Sequence, residues 1–391
     1  ARPAGCMMAE TILANARAVT PVEVVDRGTV VLRDGLIAAI ERGAGALAGA
    51  IDCGGDLLLP GLVELHTDSL EKHLTPRPGV RWPAQQAVLA HDAQLASAGI
   101  TTVLDALYVG DSAKDGVRAQ LLDESIDTIG RLNAAGLTRA EHWLHLRCEV
   151  ASPGSAPLFE RLCGHPLVRP LVRLVSVMDH TPFQRQWSDE AIYRQWTASR
   201  LGLDDAGVDR HIAERLAEHD QYAVPNRRTI VALAQRHALP LASHDDTTEA
   251  HVLEGAETGV TISEFPTSEA AARAARGRGM AIIMGAPNVV RGGSHSGNVS
   301  AASLAQAGLL DILSSDYVPS SLLHAAFLLE QRLKLPLERA VDMVAAAPAR
   351  AVGLDDRGVL APGKRADVVR VHALPDGPVV RAVWRRGERV I

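Results

Sequence analysis

The middle of the chain alternates short apolar segments with longer segments of helical periodicity. Stretches such as 84-AQQAVLAHDAQLASAG-99 and 119-AQLLDESIDTIGRLNAAG-136 carry apolar residues at helical spacing and close on Gly, as helices often do. Short strands separated by helices predict a parallel sheet with crossover helices. The predicted strands are 62-LVELHTD, 101-TTVLDAL, 143-WLHLRCEV, 172-VRLVSVMDH, 240-PLASHDD, 260-VTISEFP, 281-AIIMGAP and 311-DILSSDY. Eight strands is the number that a (β/α)8 TIM barrel needs.

Both ends of the chain have a different, turn-rich β pattern. Residues 8–58 read as short strands with a hairpin turn at Arg33-Asp34-Gly35, and residues 355–391 contain Pro-Gly and Asp-Gly turns. We expect the natural start at Met7 or Met8. The fold predicted is α/β: a metal-binding (β/α)8 barrel over 59–354, with a small β-sandwich domain formed from both chain termini.

One crossover, residues 181–237, is far longer than its role as a connection requires. It contains Trp187, Tyr193, Trp196 and several Arg residues. Long insertions after barrel strands tend to shape the mouth of the active site. We therefore expect extra helices that cap one face of the barrel.

Composition narrows the classes of protein. The chain has 391 residues, 47% of them hydrophobic, and a formal charge of -6, which argues against a general nucleic-acid binder. No apolar run reaches the roughly 18 residues of a membrane span, so we expect a cytoplasmic protein. The four cysteines form no CxxC pair, which argues against a zinc ribbon or a disulfide framework. A homo-oligomer remains an open possibility.

Six of the eight predicted strands end in residue types that bind metals. These residues are His66, Asp68, Glu149, His180, His244, Glu264 and Asp316. The carboxyl ends of barrel strands converge on one active-site floor, and imidazole with carboxylate suits zinc, manganese or iron. A single His or Asp at such a place is more often a hydrogen-bonded core residue or a helix cap. The whole set predicts a site for one or two divalent metal ions.

Two motifs carry a resemblance to the amidohydrolase superfamily. LPGLVELHTD resembles its first-strand motif Pro-Gly-x-x-x-x-His-x-His, with Asp68 in the place of the second His, and GVLAPGKRADVV resembles its closing motif. The resemblance implies a metal-dependent hydrolase. It also implies the fold described above, a barrel with a β domain made from both chain ends.

The resemblance also implies roles for single residues. Many members bridge two metals with a carboxylated Lys, but no Lys lies between Lys114 and Lys334. Glu149 is therefore expected to be the bridging ligand, as in the deacetylase branch. His244 corresponds to the fifth-strand ligand, and Glu264 stands where a sixth-strand His is usual, with His180 as a substitute ligand. Asp316 corresponds to the last-strand Asp that takes the proton from the attacking water.

Longer strings, among them ELHTDSLEKHLTPRPGVRWP, MDHTPFQRQW and GAPNVVRGGSHSGNVSA, resemble a narrower family of triphosphate diphosphatases of the carbon-phosphorus lyase pathway. This implies a small phosphorylated sugar as substrate and release of pyrophosphate from its triphosphate. Arg suits phosphate because its planar fork makes paired hydrogen bonds. The candidate substrate-binding residues are Lys72, His73, Arg77, Arg81, Arg185, Arg291 and His295.

Two other functions remain in competition. An amidohydrolase that cleaves an amide or a ring C–N bond is the main enzymatic alternative, but a neutral substrate would leave the cations near the mouth without partners. A non-catalytic barrel scaffold is the other. Such a chain should lack several strand-end ligands, whereas this one keeps Glu149, His244 and Asp316.

Overall fold

The computed structural model describes residues 10–43, 48–110, 116–187, 189–294 and 297–391. The predicted substrate ligand His295 and the expected start at Met7 or Met8 lie outside these residues. The strands, in chain order, are β1 (Thr11–Val19), β2 (Val24–Arg33), β3 (Leu36–Glu41), β4 (Ile51–Asp52), β5 (Leu57–Pro60), β6 (Leu62–Thr67), β7 (Ile100–Val109), β8 (Glu141–Glu149), β9 (Val172–Met178), β10 (Leu241–His244), β11 (Ile262–Glu264), β12 (Ala281–Gly285), β13 (Ile312–Ser314), β14 (Val368–Leu374), β15 (Gly377–Arg385) and β16 (Glu388–Arg389).

Helices follow most of the barrel strands and pack outside them. They are α1 (Leu70–Leu74), α2 (Ala84–Ser97), α3 (Gly116–Ala134), α4 (Ser155–Gly164), α5 (Glu190–Leu201), α6 (Asp205–Arg236), α7 (Glu249–Glu257), α8 (Glu269–Gly277), α9 (Ala286–Arg291), α10 (Ala301–Gln306), α11 (Ser321–Leu333), α12 (Leu337–Asp342) and α13 (Ala346–Ala351). Within the described ranges, no helix is long and apolar enough to cross a bilayer.

The eight predicted barrel strands are confirmed as β6 to β13. Neighbouring strands pair in parallel from β6 through to β13. The circle closes where Thr67 bridges Asp316, whose backbone N–H donates to the His66 carbonyl at 3.0 Å. One apolar cluster takes a residue such as Val63, Leu104 or Ile262 from most of these strands and fills the barrel interior. All eight strands therefore point their carboxyl ends to one face.

The expected pairing of the two chain ends is also confirmed. Strands from both ends form one sheet in the order β16-β15-β14-β5-β1-β2-β3, with β4 beside β1. The two ends of the chain meet where β5 pairs antiparallel with β14, Leu59 opposite Val369. The passage from this sheet to the barrel falls at Gly61, where a Cβ would lie 2.2 Å from the Thr101 hydroxyl. We therefore propose that the barrel domain begins at Leu62 and not at residue 59.

The long segment after β9 forms two helices near the mouth of the barrel. Asp189 caps the N-terminus of helix α5: its side chain accepts a hydrogen bond from the Ile192 N–H at 3.0 Å, the usual form of an N-terminal cap. It ends at Gly202, which has the left-handed φ of 65° common at helix ends. Aromatic residues of this segment pack on one another, with Trp187 and Trp196 ring centroids 4.6 Å apart, which holds α5 against the turn that ends at Trp187.

Candidate active site

A cavity of about 380 Å³ opens over the carboxyl ends of the barrel strands. Five of the predicted metal ligands line it, together with one predicted substrate ligand. These residues are His66, Asp68, His180, His244, Asp316 and Arg291. A larger cavity, about 840 Å³, takes residues from α3, α4 and the amino end of β8. The chemistry places the site in the smaller cavity, because the strand-end ligands converge there.

Glu264 orients two of the histidines. Its two carboxylate oxygens lie 2.7 Å from Nδ1 of His66 and 2.8 Å from Nδ1 of His244. Burial alone would raise the pKa of Glu264, but the neighbouring imidazoles hold it well below its usual range. An ionised carboxylate only accepts hydrogen bonds, so both rings must donate from Nδ1. This leaves Nε2 of each ring for the cavity.

Glu149 makes a similar arrangement with His180. One Glu149 oxygen lies 2.7 Å from His180 Nδ1, and the other accepts from the His180 backbone N–H at 3.1 Å. Burial alone would lower the pKa of His180, but Glu149 and Asp245 outweigh it and raise the pKa to about 9. Nε2 of His180 and Nε2 of His244 lie 3.7 and 3.4 Å from Asp245 Oδ2. This corner of the site favours positive charge.

Asp68 and Asp316 bring two carboxylates to the other side of the floor. Burial raises the pKa of Asp316, and the negative charge of Asp68 raises it further, to about 6. One oxygen of Asp68 is buried and has no hydrogen-bond partner among the described residues. Asp316 has a left-handed φ of 53°, a conformation that Asp adopts more readily than most residues. The backbone turn holds the carboxylate at the end of the barrel.

These residues fit a divalent metal ion. His180, His244 and Asp245 each offer a ligand atom within 4.8 Å of the others, and imidazole with carboxylate is a donor set for zinc, manganese or iron. A buried carboxylate oxygen without a partner is costly unless a cation satisfies it. Asp68 is therefore also suited to bind the metal ion. His66, His244 and Glu264 form a second such group, in which Glu264 already bonds to Nδ1 of both histidines.

Glu149 and Glu264 were expected to be direct metal ligands, which stays a prediction. Both are essentially buried, at 1% and 0% exposure, and neither lines the cavity. Their carboxylate oxygens contact histidine nitrogens and do not face the cavity. The sequence could indicate that a carboxylate stands at each strand end, but not which way it faces.

The predicted substrate ligands are spread over different surroundings. Arg291 lines the cavity and is exposed. Lys72 donates to the Tyr317 carbonyl at 2.9 Å, and His73 Nε2 lies 3.0 Å from Gln94 Oε1. Arg77 is exposed, and Arg81 forms an ion pair with Glu124 at 2.6 Å. Of these five, only Arg291 lines the cavity.

Arg185 differs most from its expected role. Its side chain is 4% exposed and bonds to Asp246, with Glu254 3.4 Å away. Another of its N–H groups donates to the His244 carbonyl at 3.2 Å. The guanidinium is thus committed to protein groups behind the floor. It supports the His244 segment and is not offered to a substrate.

Several lining residues were not among the predicted site residues, and the ones that matter most for the chemistry are Arg147, Asp245, Trp196 and Arg200. Two of them had a signal in the sequence. Asp245 follows His244 directly, and Arg147 stands two residues before Glu149, on the same side of a strand by alternation. Trp196 and Arg200 lie on α5, where amphipathic spacing does not reveal which face meets the barrel.

The fold and the strand-end histidines and carboxylates define a hydrolase of the amidohydrolase class. The model of the amidohydrolase family matches residues 194–391, and the chain belongs to this family. Over 381 residues, 97% of this chain and 100% of its relative, it is 47% identical to alpha-D-ribose 1-methylphosphonate 5-triphosphate diphosphatase of Escherichia coli (strain K12).

Solved structures support the fold. N-acetyl-D-glucosamine-6-phosphate deacetylase from Mycobacterium smegmatis is 18% identical, with a TM-score of 0.63 and coverage of 97% of this chain and 100% of that one. 5-Methylcytosine deaminase from Klebsiella pneumoniae is 17% identical, with a TM-score of 0.64 and coverage of 97% and 98%. At this identity the likeness concerns the architecture.

Proposed function

We propose that the chain hydrolyses alpha-D-ribose 1-methylphosphonate 5-triphosphate to the 5-phosphate and pyrophosphate, in phosphonate breakdown. The relative of that name is similar along nearly the whole chain. The observation in this structure that carries the proposal is a set of arginines at the cavity. Arg147, Arg200 and Arg291 line it, and within the described part of the chain no carboxylate forms a close ion pair with Arg200 or Arg291.

Arg147 is the cation nearest the floor. It lies on β8, its side chain is 15% exposed, and it approaches Asp68 only to 4.0 Å. Its buried Nε has no partner among the described residues. A buried guanidinium with an unsatisfied N–H is costly, and a phosphate oxygen would satisfy it with a charge-assisted hydrogen bond.

The metal ligands proposed are His66, His180 and His244 through Nε2, with Asp68, Asp245 and Asp316 as the carboxylates. Glu149 and Glu264 are proposed to orient these histidines. Carboxylates that fix a ligand's tautomer and ring angle are a general feature of metal sites. Zinc is the first choice for this mixed donor set, with manganese or iron next. When bound, a divalent ion stabilises the charge that develops on phosphoryl oxygens.

The protein's own groups then account for the remaining steps. Water adds to phosphorus at the anhydride between the α- and β-phosphates, the bridging bond breaks, and pyrophosphate leaves. Asp316 accepts the proton of the attacking water, which suits a carboxyl whose pKa is about 6. Arg147 and Arg291 hold phosphate oxygens. A neutral amide substrate would leave Arg147, Arg200 and Arg291 without anionic partners, and the deacetylase and deaminase neighbours share the fold alone.

The test is a direct assay. The purified protein is incubated with the ribosyl triphosphate, and pyrophosphate and the 5-phosphate are followed by phosphorus NMR. Parallel reactions use protein dialysed against a chelator and then given Zn²⁺, Mn²⁺ or Fe²⁺, and an N-acetylated sugar phosphate serves as the amide substrate. We expect pyrophosphate only with metal restored. Release of acetate without pyrophosphate would refute the proposal.

A further inference from the structure

A second, smaller cavity opens beside the floor of the active site. It has a volume of about 300 Å³ and shares two lining residues, Asp68 and Arg200, with the main cavity. Its wall is rich in leucine: Leu70, Leu74, Leu107, Leu121 and Leu122. We call it the side pocket. The side pocket thus places an apolar wall next to the active site, and the cation Arg200 lies where the two cavities meet.

Arg200 is held in place without being neutralised. Its guanidinium lies 4.9 Å from the centre of the Trp196 ring, a cation–π contact that fixes position and leaves the N–H groups at the edge for a ligand. Arg194 on the same helix, in contrast, pairs with Glu190 at 2.9 Å and Asp209 at 2.6 Å. Among the described residues that line the side pocket, Arg200 is the only basic one.

The acids of the side pocket do not take up this charge. Asp68 has Arg147 at 4.0 Å as its charged neighbour. Glu71 also lines the side pocket and is exposed, as Arg200 is, and no close ion pair joins the two among the described residues. The cation of Arg200 is therefore available at the point where the two cavities join.

The chemistry of the side-pocket ligand is inferred from the substrate, so this inference rests on the proposed function. The substrate has two anionic ends, the 5-triphosphate and the phosphonate at C1, and the second end also carries a methyl group. Arg291 and Gly293 line the main cavity but not the side pocket. Together with Arg147 they are assigned to the triphosphate, which leaves Arg200 as the remaining lining arginine for the C1 phosphonate.

We propose that Arg200 and the side pocket form the subsite for the C1 alkylphosphonate. The guanidinium fork bonds to the phosphonate oxygens, and the methyl group packs on the leucine wall, which removes apolar surface from water. Asp68 belongs to both cavities, so a ribose that bridges them keeps its C5 end at the floor. The subsite makes the enzyme selective for the phosphonate-bearing sugar over simpler triphosphates.

Binding without turnover tests this proposal. Calorimetry compares ribose 1-methylphosphonate 5-phosphate with ribose 5-phosphate, on the parent and on Arg200→Ala, Arg200→Lys and the matched control Arg194→Ala. We expect the parent and Arg194→Ala to prefer the phosphonate ligand by about tenfold or more, the scale of a charge-assisted contact. Arg200→Ala should lose this preference, and Arg200→Lys should keep part of it.

Kinetics give the second readout. Arg200→Ala should raise KM for the ribosyl triphosphate by about tenfold with kcat little changed, and inhibition by pyrophosphate should stay as in the parent. An equal affinity of the parent for the two sugar phosphates would overturn the subsite while leaving the proposed function standing. Absence of pyrophosphate release by the parent would instead overturn the function. Equal effects of Arg194→Ala and Arg200→Ala would also refute the subsite.

Discussion

His66 and His244 share one carboxylate: their Nδ1 atoms lie 2.7 and 2.8 Å from the two oxygens of Glu264. The two rings stack with centroids 5.7 Å apart. One buried group thus sets the tautomer and angle of both imidazoles. Because loss of such an orienting group generally weakens a metal site, Glu264 is the first residue to test.

Replacing Glu264 with Gln should lower metal affinity. The amide has the same shape, but it carries no charge and can offer its one oxygen to only one of the two histidines. We expect affinity for Zn²⁺ to fall by about 10- to 100-fold, the usual range for such orienting groups, measured by competition with a chelating dye. Glu269→Gln, an exposed change on α8, is the control. An affinity equal to that of the parent would show that Glu264 has no orienting role.

Asp316→Asn tests the proposed general base. Asn keeps the size of the side chain but cannot take a proton, so kcat for pyrophosphate release should fall by about 10² or more. The helix-cap alternative predicts lost stability with catalysis spared. Ser320 occupies the N-cap position of helix α11 and no side chain caps the helix, so we expect the melting temperature to stay near that of the parent. Metal content, measured by mass spectrometry, should change much less than kcat.

Sequence pattern was sufficient to predict the barrel and the face on which its strand-end histidines and carboxylates meet. Apolar runs such as Leu62–Thr67 end abruptly in titratable residues. In a (β/α)8 barrel the carboxyl ends of all strands lie on one face, so these residues are predicted to meet there. The turn-rich β pattern of both chain ends predicted that they pair, which the contact of β5 with β14 confirms. Both results depend on local pattern and known topology, which a sequence contains.

The direction in which a buried side chain points could not be predicted from the sequence. Glu264 bonds to His66, which lies 198 positions away in the chain. Whether the carboxylate contacts a ring nitrogen or faces the cavity depends on the distance between the two strands in the folded barrel. The arginines of the long crossover show the same limit. Arg185 turns inward to Asp246, whereas Arg200 reaches the cavity, and no feature of composition distinguishes them.

Arg291→Ala and Arg81→Ala should have unequal effects. Arg291 lines the cavity, whereas Arg81 is paired with Glu124 at 2.6 Å. We expect Arg291→Ala to lower kcat/KM for the triphosphate by about tenfold or more, through loss of a charge-assisted contact. Arg81→Ala should stay within about twofold. Both residues are exposed, so thermal melting should be close to that of the parent in each. Equal losses of kcat/KM would remove Arg291 from the substrate contacts.

His142 should make stability depend on pH, through a buried cluster outside the active site. Its Nδ1 lies 2.7 Å from Asp105 and its Nε2 lies 3.2 Å from Asp92. His91 is the other partner of Asp105, at 2.7 Å, and Arg139 lies 3.2 Å from Asp92. Burial alone would lower the pKa of His142, but the two carboxylates raise it from 6.5 to about 9.

The raised pKa of His142 decides how the stability of the protein changes with pH. A folded-state pKa above the unfolded one means that the folded protein holds the proton more tightly, so the stabilisation is fully present below about pH 6.5. It is lost as the pH rises toward about 9, and its upper limit is on the order of 3 kcal/mol. We expect the free energy of unfolding of the parent to fall over this window in urea titrations. His142→Gln should be less stable near neutral pH and should show a flatter pH profile, whereas the exposed control His165→Gln should follow the parent. Parallel profiles for the parent and His142→Gln would mean that His142 is not held protonated by Asp105 and Asp92.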